Sequence, residues 1–134
     1  MRGDDGMNST QSLSYTVRAM CKYDLSMYPE ALQVITMTTD QVSDEYRSRC
    51  ERIVEIVDNI YENSDERTRK MMSLAFLRRD AISVEAAADI MDIGKTAAYS
   101  IVNKVLVKYA VAMGYVKKKQ NNKEKRKEKE EWVS

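Results

Sequence analysis

The chain has 134 residues, 43% of them hydrophobic, with one proline, four glycines, two cysteines and no histidine, and its formal net charge is +1. That length suits one domain with a compact part of about 100 residues, and the scarcity of helix breakers predicts an all-α fold. The missing histidine excludes catalytic triads built on it and the commonest zinc ligand, so no cofactor or metal is expected, and near-neutrality by itself selects no partner.

Residues 1–11 are polar, glycine-containing and aperiodic, and are expected to be disordered. They lack the apolar stretch of a signal peptide, and no run of about 18 apolar residues follows, so a cytoplasmic protein with no membrane partner is expected. The glycosylation match at Asn8-Ser9-Thr10 then has no meaning. From 12 to 22, Leu13, Val17, Met20 and Cys21 have helical spacing, and Pro29 is placed to open a short helix to about residue 37. TMTTDQVS reads as the connection that follows.

Tyr46, Cys50, Ile53, Val54, Val57, Ile60 and Tyr61 then repeat at i, i+3, i+4, i+7, the clearest helix of the chain. Ser43 suits its N-cap, Asp44 and Glu45 suit the positive end of its dipole, and Asn63-Ser64 ends it. Ser64 is expected to cap the next helix, with Asp65 and Glu66 in its first turn and Arg78 and Arg79 at its end. The apolar belt of Met71, Met72, Leu74, Ala75, Phe76 and Leu77 predicts that this helix is central to the core. Cys21 and Cys50 lie on apolar stripes without a Cys-x-x-Cys pair, which predicts packing as small hydrophobes.

The segment DIMDIGKT, residues 89–96, ends like a phosphate-binding loop. A nucleotide loop needs Gly-x-x-x-x-Gly-Lys-Ser/Thr, but its first glycine position is Asp89, whose carboxylate would face the phosphates, and the preceding AAAD reads as helix, not strand. The competing reading is a helix-turn-helix over residues 83–113. Ser83 caps a helix from 84 to about 91, Asp92-Ile93-Gly94 is a three-residue turn, and a longer helix runs from 95 to about 113 until Gly114 stops it. Small Ala87 and Ala88 permit close approach and Ile93 plugs the angle, leaving Gly94 and Thr96 conformational and hydrogen-bonding work at the turn.

At about 100° per residue the second helix divides into an apolar side, Ala98, Ile101, Val102, Val105, Tyr109 and Ala112, and a polar stripe of Thr96, Tyr99, Ser100 and Asn103. Lys95 stands at its N-terminal tip and Lys104 and Lys108 on its flanks. A DNA-reading helix has that arrangement, with N-terminal side chains at base edges in the major groove and lysines at phosphates. Asn103 is expected to pair with adenine and Tyr99 to meet a phosphate or a thymine methyl. A solvated surface stripe is the plainer alternative.

The stretch ISVEAAADIMDIGKTAAYSIVNKVLVKYA resembles the fourth region of bacterial sigma factors, which recognises the promoter's upstream element. Ile93-Gly94-Lys95-Thr96-Ala97-Ala98-Tyr99, followed by Asn103, Leu106 and Gly114, is more closely similar to the RinA and ArpU families of phage regulators, as are Tyr28-Pro29 and the long amphipathic helix before the DNA-binding part. The likeness spans about residues 43–116 well and 13–37 weakly. It implies a sequence-specific regulator, an activator of late phage packaging, morphogenesis or lysis genes in a bacterial host cell, with double-stranded DNA as partner. Family members often carry arginine or lysine at the positions of Ala97, Ser100 and Val102, so this reading helix is less basic, which implies dependence on a dimer or on host RNA polymerase.

The tail, residues 117–134, holds eight basic and four acidic residues, and Lys117, Lys118 and Lys119 are best placed to reach the DNA backbone beyond the reading helix. A solvated extension is the alternative, and Trp132 suggests a self-association contact. Because one reading helix covers few base pairs, a homodimer is expected, joined through the N-terminal helices or the helix from about 44 to 62. Rival functions are a small terminase subunit marking phage DNA for packaging and an interaction protein that binds a host protein without DNA. An enzyme is the weakest rival.

Overall fold

The computed structural model describes residues 13–37 and 40–117. Six helices carry them: α1 Tyr15–Ser26, α2 Tyr28–Thr36, α3 Asp44–Glu62, α4 Glu66–Ala75, α5 Val84–Met91 and α6 Lys95–Met113. The described residues contain no strand. The chain is therefore all-α, and no helix among the described residues is long and apolar enough to cross a membrane. The expectations for residues 1–11, Lys118, Lys119 and Trp132 lie outside the described residues.

Local chemistry sets the helix starts. Ser14, Ser43, Asp65 and Ser83 each adopt extended backbone angles and accept a hydrogen bond from the N–H three residues on, satisfying a donor the helix itself leaves open. The cap of α4 is thus Asp65 and not Ser64, whose hydroxyl donates backwards to the Ile60 carbonyl at 2.6 Å and closes α3. Pro29 sits in the first turn of α2, where its missing N–H costs nothing. Two boundaries differ from expectation. α1 runs on to Ser26 because Asp24 and Leu25 both find buried partners. α4 stops at Ala75, so Arg78 and Arg79 fall in the following loop, where they hold Asp80 and the Gln33 side chain instead of the last carbonyls.

α6 is the hub of the fold, touching α1, α3, α4 and α5, while α2 packs on α3. Cys50, Ile53, Val54, Ile56, Val57 and Ile60 of α3 are all buried within the monomer. Full burial of an aliphatic side chain contributes about 1.5–3 kcal/mol, so this stripe is committed to the core and offers no dimer seam. Tyr46 and Tyr61, expected on the same stripe, lie at its edges, Tyr46 exposed and Tyr61 half-buried beneath the Arg69 guanidinium. Met71, Met72, Leu74 and Phe76 are buried, as a central α4 requires, and Cys21 and Cys50 are fully buried free thiols.

One acid lies inside this core. Asp24 of α1 is 1% exposed and its carboxylate is fully engaged: Oδ1 accepts from Arg49 of α3 at 2.8 Å, and Oδ2 accepts the hydroxyls of Tyr109 at 3.0 Å and Tyr115 at 2.5 Å. The two tyrosine rings meet edge to face, centroids 6.4 Å apart. A buried charge is tolerated when its lone pairs are satisfied in this way. The node ties the first helix to the end of the last.

Burial also shifts acid–base behaviour. It pushes the Cys21 thiol from 9.0 up to about 11, helped by the charge of Asp24, and the Tyr28 hydroxyl from 10.0 up to about 12, helped by its 2.6 Å hydrogen bond to Asp58. Tyr109 and Tyr115 move upward for the same first reason. All are held protonated in the folded chain at pH values where the unfolded chain loses the proton, so their stabilisation is complete below about pH 9 and is lost as pH rises towards 12. Urea midpoints from pH 7 to 11.5 are expected to be level up to 9 and then to fall. A level profile throughout would show these groups to be unburied.

Candidate nucleic-acid interface

α5 and α6 are joined by Asp92, Ile93 and Gly94. The first helix of the pair closes with the Ile93 N–H donating to the Ala88 carbonyl at 3.0 Å and the Asp92 N–H to the Asp89 carbonyl at 3.2 Å, the paired bonds of a Schellman end. Such an end needs one left-handed residue, and here it is Asp92 at φ 59. α6 closes the same way with Gly114 at φ 81. Ala87 and Ala88 are buried between the helices, and Ile93 packs half-buried against the core.

The expected roles of Gly94 and Thr96 are corrected. Gly94 is extended, at φ −71 and ψ 159, close to the angles of the three serine caps, and a Cβ added there would meet nothing within 4 Å. No side chain caps α6. Gly94→Ser is therefore expected to stabilise the chain by about 0.5–1 kcal/mol, by adding a cap oxygen and by restricting the unfolded chain. Thermal unfolding reads this as a rise of a few degrees, and a fall would mean that glycine is required after all.

The outward face of α6 carries Lys95, Thr96, Ala97, Ser100, Lys104 and Lys108, all exposed. The inward face is Ala98, Val102, Val105, Leu106, Tyr109 and Ala110, all buried. Against expectation Ile101 is only half-buried and Ala112 is exposed, while Leu106 and Ala110 take core positions. Four helices surround α6, so its buried arc is wider than a single-sided stripe and is centred on a different residue set.

Two members of the expected stripe are not free. Asn103 is half-buried and its Oδ1 accepts from Arg18 of α1 at 2.8 Å. Tyr99 is 39% exposed, and its hydroxyl donates to the Glu85 carboxylate at the start of α5. That bond is the main reason the Glu85 carboxyl lies below its ordinary range, with the positive charges of Lys95 and Lys22 adding to it. The carboxylate beside the Tyr99 hydroxyl opposes a phosphate there, leaving the ring for apolar contact and the oxygen as an acceptor only. Lys117 is exposed just beyond the end of α6.

The structure thus brings Thr96, Ser100, Lys104 and Lys108 onto one open face, with Lys95 at its tip, and sets Tyr99 and Asn103 along a flank bordered by Glu85 and α1. Sequence reasoning passed over Arg18, Lys22 and Glu85. The signal was present, since Arg18 and Lys22 are spaced i, i+4 and share one face of α1. Among the described residues no cluster of His, Cys, Asp or Glu is arranged to hold a metal ion. No protein-family model matches the chain, and no curated protein or solved structure matches it either.

Proposed function

We propose that the chain is a sequence-specific DNA-binding regulator that reads double-stranded DNA with α6 and, as its resemblance to the RinA and ArpU families implies, activates late phage genes. The observation that supports this most is the outward face of α6, polar and basic from Lys95 to Lys108 apart from Ala97 and exposed from its first residue, on a helix whose other face is locked into the core. Lysines on such a face supply the salt-dependent phosphate term, and Thr96 and Ser100 lie where a major-groove helix meets base edges. The uncapped first N–H groups of α6 suit a phosphate as well. Footprinting on the DNA that flanks the protein's own gene tests the reading. A discrete protected site, bound at least tenfold more tightly than random duplex, is expected; equal binding to both overturns it.

A homodimer is part of the proposal, with its seam moved to α1 and α2 because the apolar stripe of α3 is used up inside the monomer. Tyr15 is 87% exposed and Tyr23 63%. The same two rings favour a second reading, a protein-binding surface that acts without DNA. Sedimentation with and without the footprinted duplex separates the two, since the dimeric reader forms a two-to-one complex.

A further inference from the structure

We infer that Arg18 of α1 sets the base preference of Asn103, so that the side chain reads an edge offering acceptors only, such as guanine N7 and O6, in place of adenine. The inference rests on the proposed DNA reading by α6 and deepens it.

The argument is one of hydrogen-bond valence. Reading adenine requires an asparagine to do two things at once, to accept from N6–H with Oδ1 and to donate to N7 with Nδ2. In this fold the Arg18 guanidinium takes the Asn103 side chain at 2.8 Å. A guanidinium has five donors and no acceptor, so the atom it takes is the oxygen, whichever way the amide is turned. The second lone pair of that oxygen lies beside a positive charge, where another donor is poorly received. The amide N–H groups stay available, and they suit acceptors. Arg18 is itself half-buried against the core-facing side of α1, whose neighbouring Cys21 is fully buried, so the clamp is part of the packed structure. Tyr99, one turn back, is biased the opposite way: its proton goes to Glu85, which leaves its oxygen able only to accept. The flank of α6 thus presents a fixed acceptor followed by a fixed donor, and α1, which carries no base-reading residue, decides the second.

Selection from a randomised duplex library tests this with the intact chain, Asn103→Ala and Arg18→Met, the last keeping the aliphatic stem while removing the donor. The position whose preference vanishes in Asn103→Ala is the one Asn103 reads. In the intact chain that position is expected to favour guanine over adenine by roughly tenfold, and in Arg18→Met the preference is expected to swing to adenine. Adenine at that position in the intact chain, an unchanged preference in Arg18→Met, or no position that responds to Asn103→Ala overturns the inference while leaving α6 as a reader. Absence of any enriched sequence with the intact chain overturns the DNA reading as well. Should Arg18→Met fail to fold by circular dichroism, the intact chain and Asn103→Ala still decide the matter, since guanine supports the clamp and adenine refutes it.

Discussion

Asp24→Ala is expected to destabilise the chain by about 2–4 kcal/mol, since it strands a buried hydroxyl and opens a gap in the core. Tyr109 is 0% exposed and Asp24 is the acceptor of its hydroxyl, so that group loses its hydrogen bond with no water to replace it. Arg49 suffers less, its side chain being 44% exposed and able to turn to solvent. Asp24→Asn keeps one acceptor oxygen but sets an amide N–H₂ against either Arg49 or the tyrosines, and should fall between wild type and alanine. Tyr115→Phe leaves the other two partners in place and should cost about 1 kcal/mol. Against a total stability of about 5–15 kcal/mol, the alanine variant lowers the urea midpoint clearly. A loss under about 1 kcal/mol would show that the node is not satisfied in the way the distances indicate.

The second large effect concerns binding. Replacing Lys95, Lys104 and Lys108 by glutamine is expected to weaken binding to cognate and random duplexes alike, and to lower the slope of log affinity against log salt by about 1.8–2.7, corresponding to two or three lost phosphate contacts. The lower bound allows for Lys95, whose charge is shared with Glu85. At physiological salt this amounts to roughly a hundredfold in affinity. Arginine at the same positions should restore the slope, because charge and not side-chain shape carries this term. A loss confined to the cognate sequence would place the lysines at base edges, and an unchanged slope would remove α6 from the backbone altogether.

Much of the fold was legible where the cause is local. Ser43 and Ser83 announce helix starts through a side-chain oxygen three residues from an open N–H, and Gly114 announces an end through its left-handed φ of 81. Ser64 misled by one residue because Asp65 offers the stronger acceptor and Ser64 had another use for its hydroxyl. The faces of α6 were less legible. Whether Ala110 is inside and Ala112 outside depends on which helices surround α6, and no period within nineteen residues reveals that. Asp24 shows the same limit from the other direction. It stands on the stripe of Cys21 and Leu25, where an acid reads as an interruption until Tyr109, Tyr115 and Arg49 arrive from distant parts of the chain. The flank of α6 was misjudged likewise, since the partner of Asn103 lies 85 residues away.

That separation bears on how the protein can be cut and reused. α1 grips α6 at two places, through Arg18 on Asn103 and through Asp24 on Tyr109, each spanning 85 residues. The α5–α6 pair is therefore not a portable cassette. Grafted alone onto another scaffold, residues 83–113 would carry the Tyr109 hydroxyl and the wide apolar arc of α6 into water, and would present an Asn103 amide released from its clamp. A chimera would have to bring the opening helix of the chain along with the closing one, so the shortest transplantable unit is close to the whole described domain.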